Sequence, residues 1–120
     1  MPVCALRGAI TVEKNTREAI YAATREMLQD LSVRNELAKG KIVSAWFTAT
    51  PDLDAAYPAA AARELGWTEA ALLCVQEMPV EGSLPMCVRV LVLHDSEKDQ
   101  SEMRHSYLRG AAVLRPDLVE

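Results

Sequence analysis

The sequence predicts a mixed α/β domain of the α+β kind, in which one mixed sheet is covered by one long and one short helix. Three observations predict it. Apolar runs of strand length at 3–12, 42–50, 70–76 and 86–94 alternate early with helical segments, and the last two runs sit together. A single long stripe of apolar residues at helical spacing lies between the first two runs. No repeat, low-complexity linker or shift of composition divides the 120 residues, half of which are apolar, so the chain reads as one domain over 1–120 with its own core.

Residues 3–12 alternate as a strand should. Val3, Ala5, Arg7, Ala9 and Thr11 share one face; Cys4, Leu6, Gly8, Ile10 and Val12 share the other. Gly8 marks a bulge or a place where a neighbour approaches the backbone. A helix follows, capped by Asn15 or Thr16, with Glu18 early, where the helix dipole favours an acid. Ile20, Ala23, Met27, Leu28 and Leu31 form its stripe, and "NELAKG" adds a short helical turn stopped by Gly40. "IVSAWFTAT" is a second, largely buried strand. Pro58 suits the first turn of a short alanine-rich helix that Gly66 ends. A third strand at 70–76 leads through the loop or hairpin turn "PVEGSLP" to a fourth at 86–94. "DSEKDQSEMRH" is polar with one helical turn, and "SYLRGAAVLRPDL" reads as an irregular tail. The long helix is enough for one sheet face only. The short helix is too short to cover the other, which leaves an apolar face for subunit contacts.

The totals narrow the function classes. A formal charge of −4 argues against nucleic acid, which is held by clustered Lys/Arg excess, although a local arginine cluster still suits a small anion. Three cysteines without a C-x-x-C pair point to a reduced, cytoplasmic chain. The N-terminus does not read as a signal peptide, and no apolar run reaches the roughly 18 residues a membrane span requires. His94 and His105 lack metal-motif spacing, so no metal is expected.

The informative feature is charge in apolar elements. In "MCVRVLVLH" one guanidinium, Arg89, interrupts a strand and shares its face with Cys87, Leu91 and Leu93. Burying that charge alone costs several kcal/mol. The residues by themselves leave three readings open: an edge strand with Arg89 in water, a structural ion pair, or a functional pocket. Arg7 repeats the pattern in the first strand, Glu77 ends the third, and Arg63 lies on the alanine-rich helix. Four such charges from four segments are what convergence on a pocket produces. Arginine grips carboxylates through paired hydrogen bonds, so three arginines against one glutamate suit a ligand with more than one negative group, and Glu77 can accept from a ligand hydroxyl. Neither a nucleophile–base pair nor a phosphate-cradling glycine loop is present. A reaction here would run on positioning and fixed charge.

"RGAITVEKNT", "ATPDLDAAYPAAAARELGW", "CVQEMPVEGSLPMCVRVL" and "RHSYLRGAAVLRPDL" together resemble the small trimeric α/β chorismate mutases, in order and at matching spacing from Arg7 nearly to the C-terminus. The resemblance implies a homotrimer built as a pseudo-barrel, with sites between subunits and no cofactor. It implies the Claisen rearrangement of chorismate to prephenate in aromatic amino-acid biosynthesis. Arg89 would then donate to the ether oxygen as negative charge grows there. Arg7 would contact the side-chain carboxylate, helped by Tyr107, with the ether oxygen as a second contact open to Arg7. Glu77 and Cys74 would meet the ring hydroxyl. Tyr57, Ala59 and Arg63 would come from the short helix, Arg63 toward the ring carboxylate. Leu72 and Leu73 would supply wall or backbone contacts, and Leu114 and Arg115 would lie on a tail that folds over the site. Ala60 stands where the family can carry lysine, and Tyr57 where phenylalanine is common. Arg104 and His105 are read as holding the tail or a subunit contact. Two rivals remain at this stage: an imine deaminase of similar fold, whose asparagine-rich and glycine-rich stretches are not found, and a non-catalytic trimeric binder of small carboxylates.

Overall fold

The computed structural model describes residues 2–114. Its strands are β1 (Val3–Thr11), β2 (Ile42–Ala49), β3 (Ala71–Gln76), β4 (Cys87–Asp95) and β5 (Ser106–Leu108), in the order β3-β2-β4-β1-β5 within one sheet. Central β4 runs antiparallel to β1 and β2, and the outer pairs β2–β3 and β1–β5 are parallel, so the sheet is mixed. β3 and β4 are not neighbours. The "PVEGSLP" segment is therefore a crossing loop over the end of β2, not a hairpin turn.

Both helices, α1 (Arg17–Asn35) and α2 (Ala59–Glu64), lie on one side of the sheet and share its core. Thr16 caps α1, its Oγ1 accepting the Ala19 N–H at 3.1 Å. Asn15 does a different job: its Oδ1 accepts the Asp54 and Ala55 N–H groups, and its Nδ2 donates to Asp54, clamping the loop that leads to α2. Ile20, Ala23, Met27, Leu28 and Leu31 are buried against Leu6, Ile10, Phe47, Val88 and Val92. Each fully buried side chain of this size contributes about 1.5–3 kcal/mol. Gly8 serves close approach: a Cβ there would sit 3.1 Å from Leu31 and Met27 of α1.

Two further expectations change. The helical turn expected in "NELAKG" does not extend α1, because Glu36 enters the left-handed region at φ 51 and ends it. A separate 3-10 turn at Lys39–Lys41 follows, with Gly40 inside it. The tail is more regular than read: Ser106–Leu108 pairs with Gly8–Ile10 as β5, and a 3-10 segment follows at Arg109–Leu114. Three residues are too few for a periodic signal. The strand is held by tertiary bonds instead, with the Ser106 hydroxyl donating to Asp30 of α1 and Asn35 bridging to the backbone of Arg104. His105 accepts the Arg7 N–H through Nδ1 at 2.9 Å, which agrees with its reading as a holder of the tail.

The second sheet face lacks a helical cover. Trp46 is 49% exposed and Leu91 39%, with Val3, Leu73 and Val75 also open. The register places these side chains on the face opposite α1.

Candidate active site

Arg89 lies on that second face, opposite Ala9 of β1 and Thr48 of β2. It is not on an edge strand. Its Nε stands 3.5 Å from Glu77 Oε1, with the two side chains 21% and 24% exposed. Nε itself is shut off from solvent and has no hydrogen-bond partner among the described residues. The pair is thus close enough for attraction and too loose to satisfy the donor. Glu77 extends β3 by one step, its N–H donating to Ala49 O at 2.9 Å. The Thr48 hydroxyl donates to Glu77 Oε1 at 2.5 Å.

Beside this pair, Ala9, Cys87, Tyr107 and Ala111 form a small second core, with Leu84 and Leu114 packed against it. Cys87 is fully buried; burial pushes its thiol up, against the pull of the adjacent Arg89 guanidinium. Tyr107 faces this side because β5 pairs it with Ala9, and it is only 6% exposed. Its hydroxyl is buried without a partner among the described residues. A buried polar group left unsatisfied costs about 1–3 kcal/mol. Two such donors on one ledge, next to a carboxylate whose described contacts all fall on Oε1, are the condition of a site whose polar partner is a ligand.

The other sequence-predicted residues fall elsewhere. Arg7 shares the Arg89 face, paired with Leu91, and is exposed. Leu73 is on that face too, opposite Trp46. Tyr57 and Cys74 line a cleft of about 610 Å³ between the start of α1, the loop at 49–58 and the end of β3; its cation is Arg17, and Arg7, Arg89 and Glu77 do not line it. Ala59 is buried in the main core, Leu72 packs against that core, and Arg63 is exposed on α2. Leu114 adjoins the Tyr107 cluster; Arg115 lies outside the described residues. One chain therefore gathers Arg89, Glu77, Tyr107 and Leu114, and leaves Tyr57, Cys74, Ala59 and Arg63 in a different place.

Sequence reasoning missed two members of the site, Thr48 and Cys87. A signal for Thr48 existed: a hydroxyl in the apolar run "IVSAWFTAT", at even spacing from Trp46. What it bonds to depends on the β2–β3 register, which no local pattern reveals.

The family model for chorismate mutase type I matches residues 3–118. The chain belongs to the chorismate mutase type I family. Among the chorismate mutases it is similar to, the AroH enzyme of Thermus thermophilus is 47% identical over 114 residues, covering 94% of this chain and 93% of its own. The AroH enzyme of Bacillus subtilis (strain 168) is 41% identical over 119 residues, covering 98% and 94%. A solved chorismate mutase from Clostridium thermocellum matches with a TM-score of 0.89 at 47% identity, over 91% of this chain and 97% of its own. The resemblance seen in the quoted motifs thus extends to the whole fold.

Proposed function

We propose that the protein is a chorismate mutase, an isomerase that converts chorismate to prephenate by an intramolecular Claisen rearrangement. One observation carries the mechanism: Arg89 is held beside Glu77 with its Nε–H shut off from solvent and without a hydrogen-bond partner among the described residues. In the rearrangement the ether C–O bond breaks as a C–C bond forms, and negative charge gathers on the ether oxygen. A donor already oriented there stabilises that charge without solvent reorganisation. Glu77 accepts from the ring hydroxyl and also holds Arg89 by attraction. Tyr107 donates its spare hydroxyl to the side-chain carboxylate, with Arg7 supplying charge. No proton changes hands, and no nucleophile is needed: Cys87 is buried and held protonated.

The separation of the predicted residues supports a site completed by a neighbouring subunit. Tyr57, Cys74 and Arg63 from one chain would face Arg89, Glu77 and Tyr107 of the next. The open apolar face around Trp46, Leu73 and Leu91 suits the contact, and a closed homotrimer with a barrel-like centre would cover it. A cytoplasmic enzyme fits three cysteines, all free. The test is loss of chorismate absorbance against the spontaneous rate, with the oligomeric state measured in parallel. Folded trimeric protein that gives no acceleration refutes the function.

A further inference from the structure

Thr48 sits at the meeting point of three strands. Its cross-strand neighbours are Arg89 on β4 and Val75 on β3, and its hydroxyl reaches past Val75 to Glu77 Oε1. The same Oε1 stands 3.5 Å from Arg89 Nε. The terminal torsion of a glutamate is soft, so no rotamer preference sets which oxygen faces where. A β-branched side chain is stiff at χ1, so the threonine hydroxyl is a fixed pointer. The strongest alternative open to Glu77 is a two-bond fork with Arg89, which would consume the donors the reaction needs.

We propose that Thr48 is a positioning residue for the reaction: its hydroxyl pins one oxygen of Glu77, so that the other oxygen faces the ring hydroxyl of the substrate and Arg89 is held by attraction at 3.5 Å and not tied up in a two-bond fork. The assignment rests on reading this ledge as the chorismate site. Thr48 touches no reacting atom. It acts by choosing between two arrangements of the Glu77–Arg89 pair.

The experiment compares wild type with Thr48→Val, which keeps shape and removes the donor, and Thr48→Ser, which keeps the donor. Thr48→Val is expected to lower kcat/KM about tenfold to a hundredfold, mostly in kcat, the range of a hydrogen bond to a charged group. Thr48→Ser should restore it to within about threefold. In a Glu77→Gln background the same valine change should cost less than about threefold, because the carboxylate it orients is gone. A valine variant within threefold of wild type, or an equal loss in both backgrounds, overturns the assignment. A readout free of turnover runs alongside: the Arg89 Nε–H resonance in ¹⁵N-labelled protein. Thr48→Val should move it downfield and slow its exchange as Glu77 closes on it, and Thr48→Ser should leave it in place. An unmoved resonance in the valine variant refutes the role. Should wild type itself give no acceleration, the chorismate reading fails by that result, and the resonance alone decides Thr48.

Discussion

Replacing Arg89 separates catalysis from stability. The ion pair with Glu77 is loose, at 3.5 Å, and both side chains keep about a fifth to a quarter of their exposure. Screened by solvent, such a contact is worth about 0–1 kcal/mol to the fold. Its Nε, without a hydrogen-bond partner among the described residues, adds nothing to stability. The proposed catalytic role is larger: removing a fixed donor to a developing oxyanion costs about 2.7–4 kcal/mol of barrier, roughly 10²–10³ in rate, and a charged donor belongs at the upper end. Arg89→Ala should therefore lose at least about 10²-fold in kcat while its melting temperature moves by only a few degrees. Arg89→Lys should recover little, because a single ammonium cannot serve Glu77 and the ether oxygen together in the geometry of a fork. The assay follows chorismate consumption at saturating substrate, with thermal unfolding and the oligomeric state measured on the same samples. A folded Arg89→Ala protein with kcat within about threefold of wild type would refute the charge-stabilisation mechanism.

Other outcomes follow from the same coordinates. Tyr107→Phe removes a buried hydroxyl that has no partner among the described residues, so stability should hold or rise; substrate binding should weaken by about tenfold or more, the worth of a hydrogen bond to a carboxylate. Unchanged KM with lowered stability would show that the hydroxyl is structural. His94 is buried and its Nε2 accepts the Ala38 N–H at 3.2 Å, and burial holds its pKa below the ordinary value. Its stabilisation is complete above the unfolded value of about 6.5 and is lost as pH falls through it toward the lower folded value. The melting temperature should drop between about pH 7 and pH 5, and His94→Gln should flatten that drop; an equal slope in the variant contradicts the assignment. Cys87 is buried with its pKa raised, so alkylation at neutral pH should label it only after denaturant is added, as read by mass spectrometry. Labelling of native protein at Cys87 would mean that the second core opens in solution.

What the sequence alone determined is what strictly local periodicity encodes. Alternation in "VCALRGAITV" and "MCVRVLVLH" grouped Arg7 with Ala5 and Ala9, and Arg89 with Cys87 and Leu91; the structure keeps both groups together and turns them away from α1. Helical spacing of Ile20, Met27 and Leu31 identified the core stripe, and linked motifs over the whole chain identified the family. Tertiary structure decided what depends on register between segments distant in sequence. The Thr48–Glu77 bond spans 29 residues, and the Ser106–Asp30 bond that holds β5 spans 76. β5 has three residues, too few for periodicity, and exists because β1 offers an edge and α1 an acceptor. The placement of both helices on one side was likewise settled by packing: alanines at 59 and 62 let α2 close on the common core, which leaves the Arg89 face uncovered. A local pattern tells which way a side chain points; only pairing and packing choose what it meets.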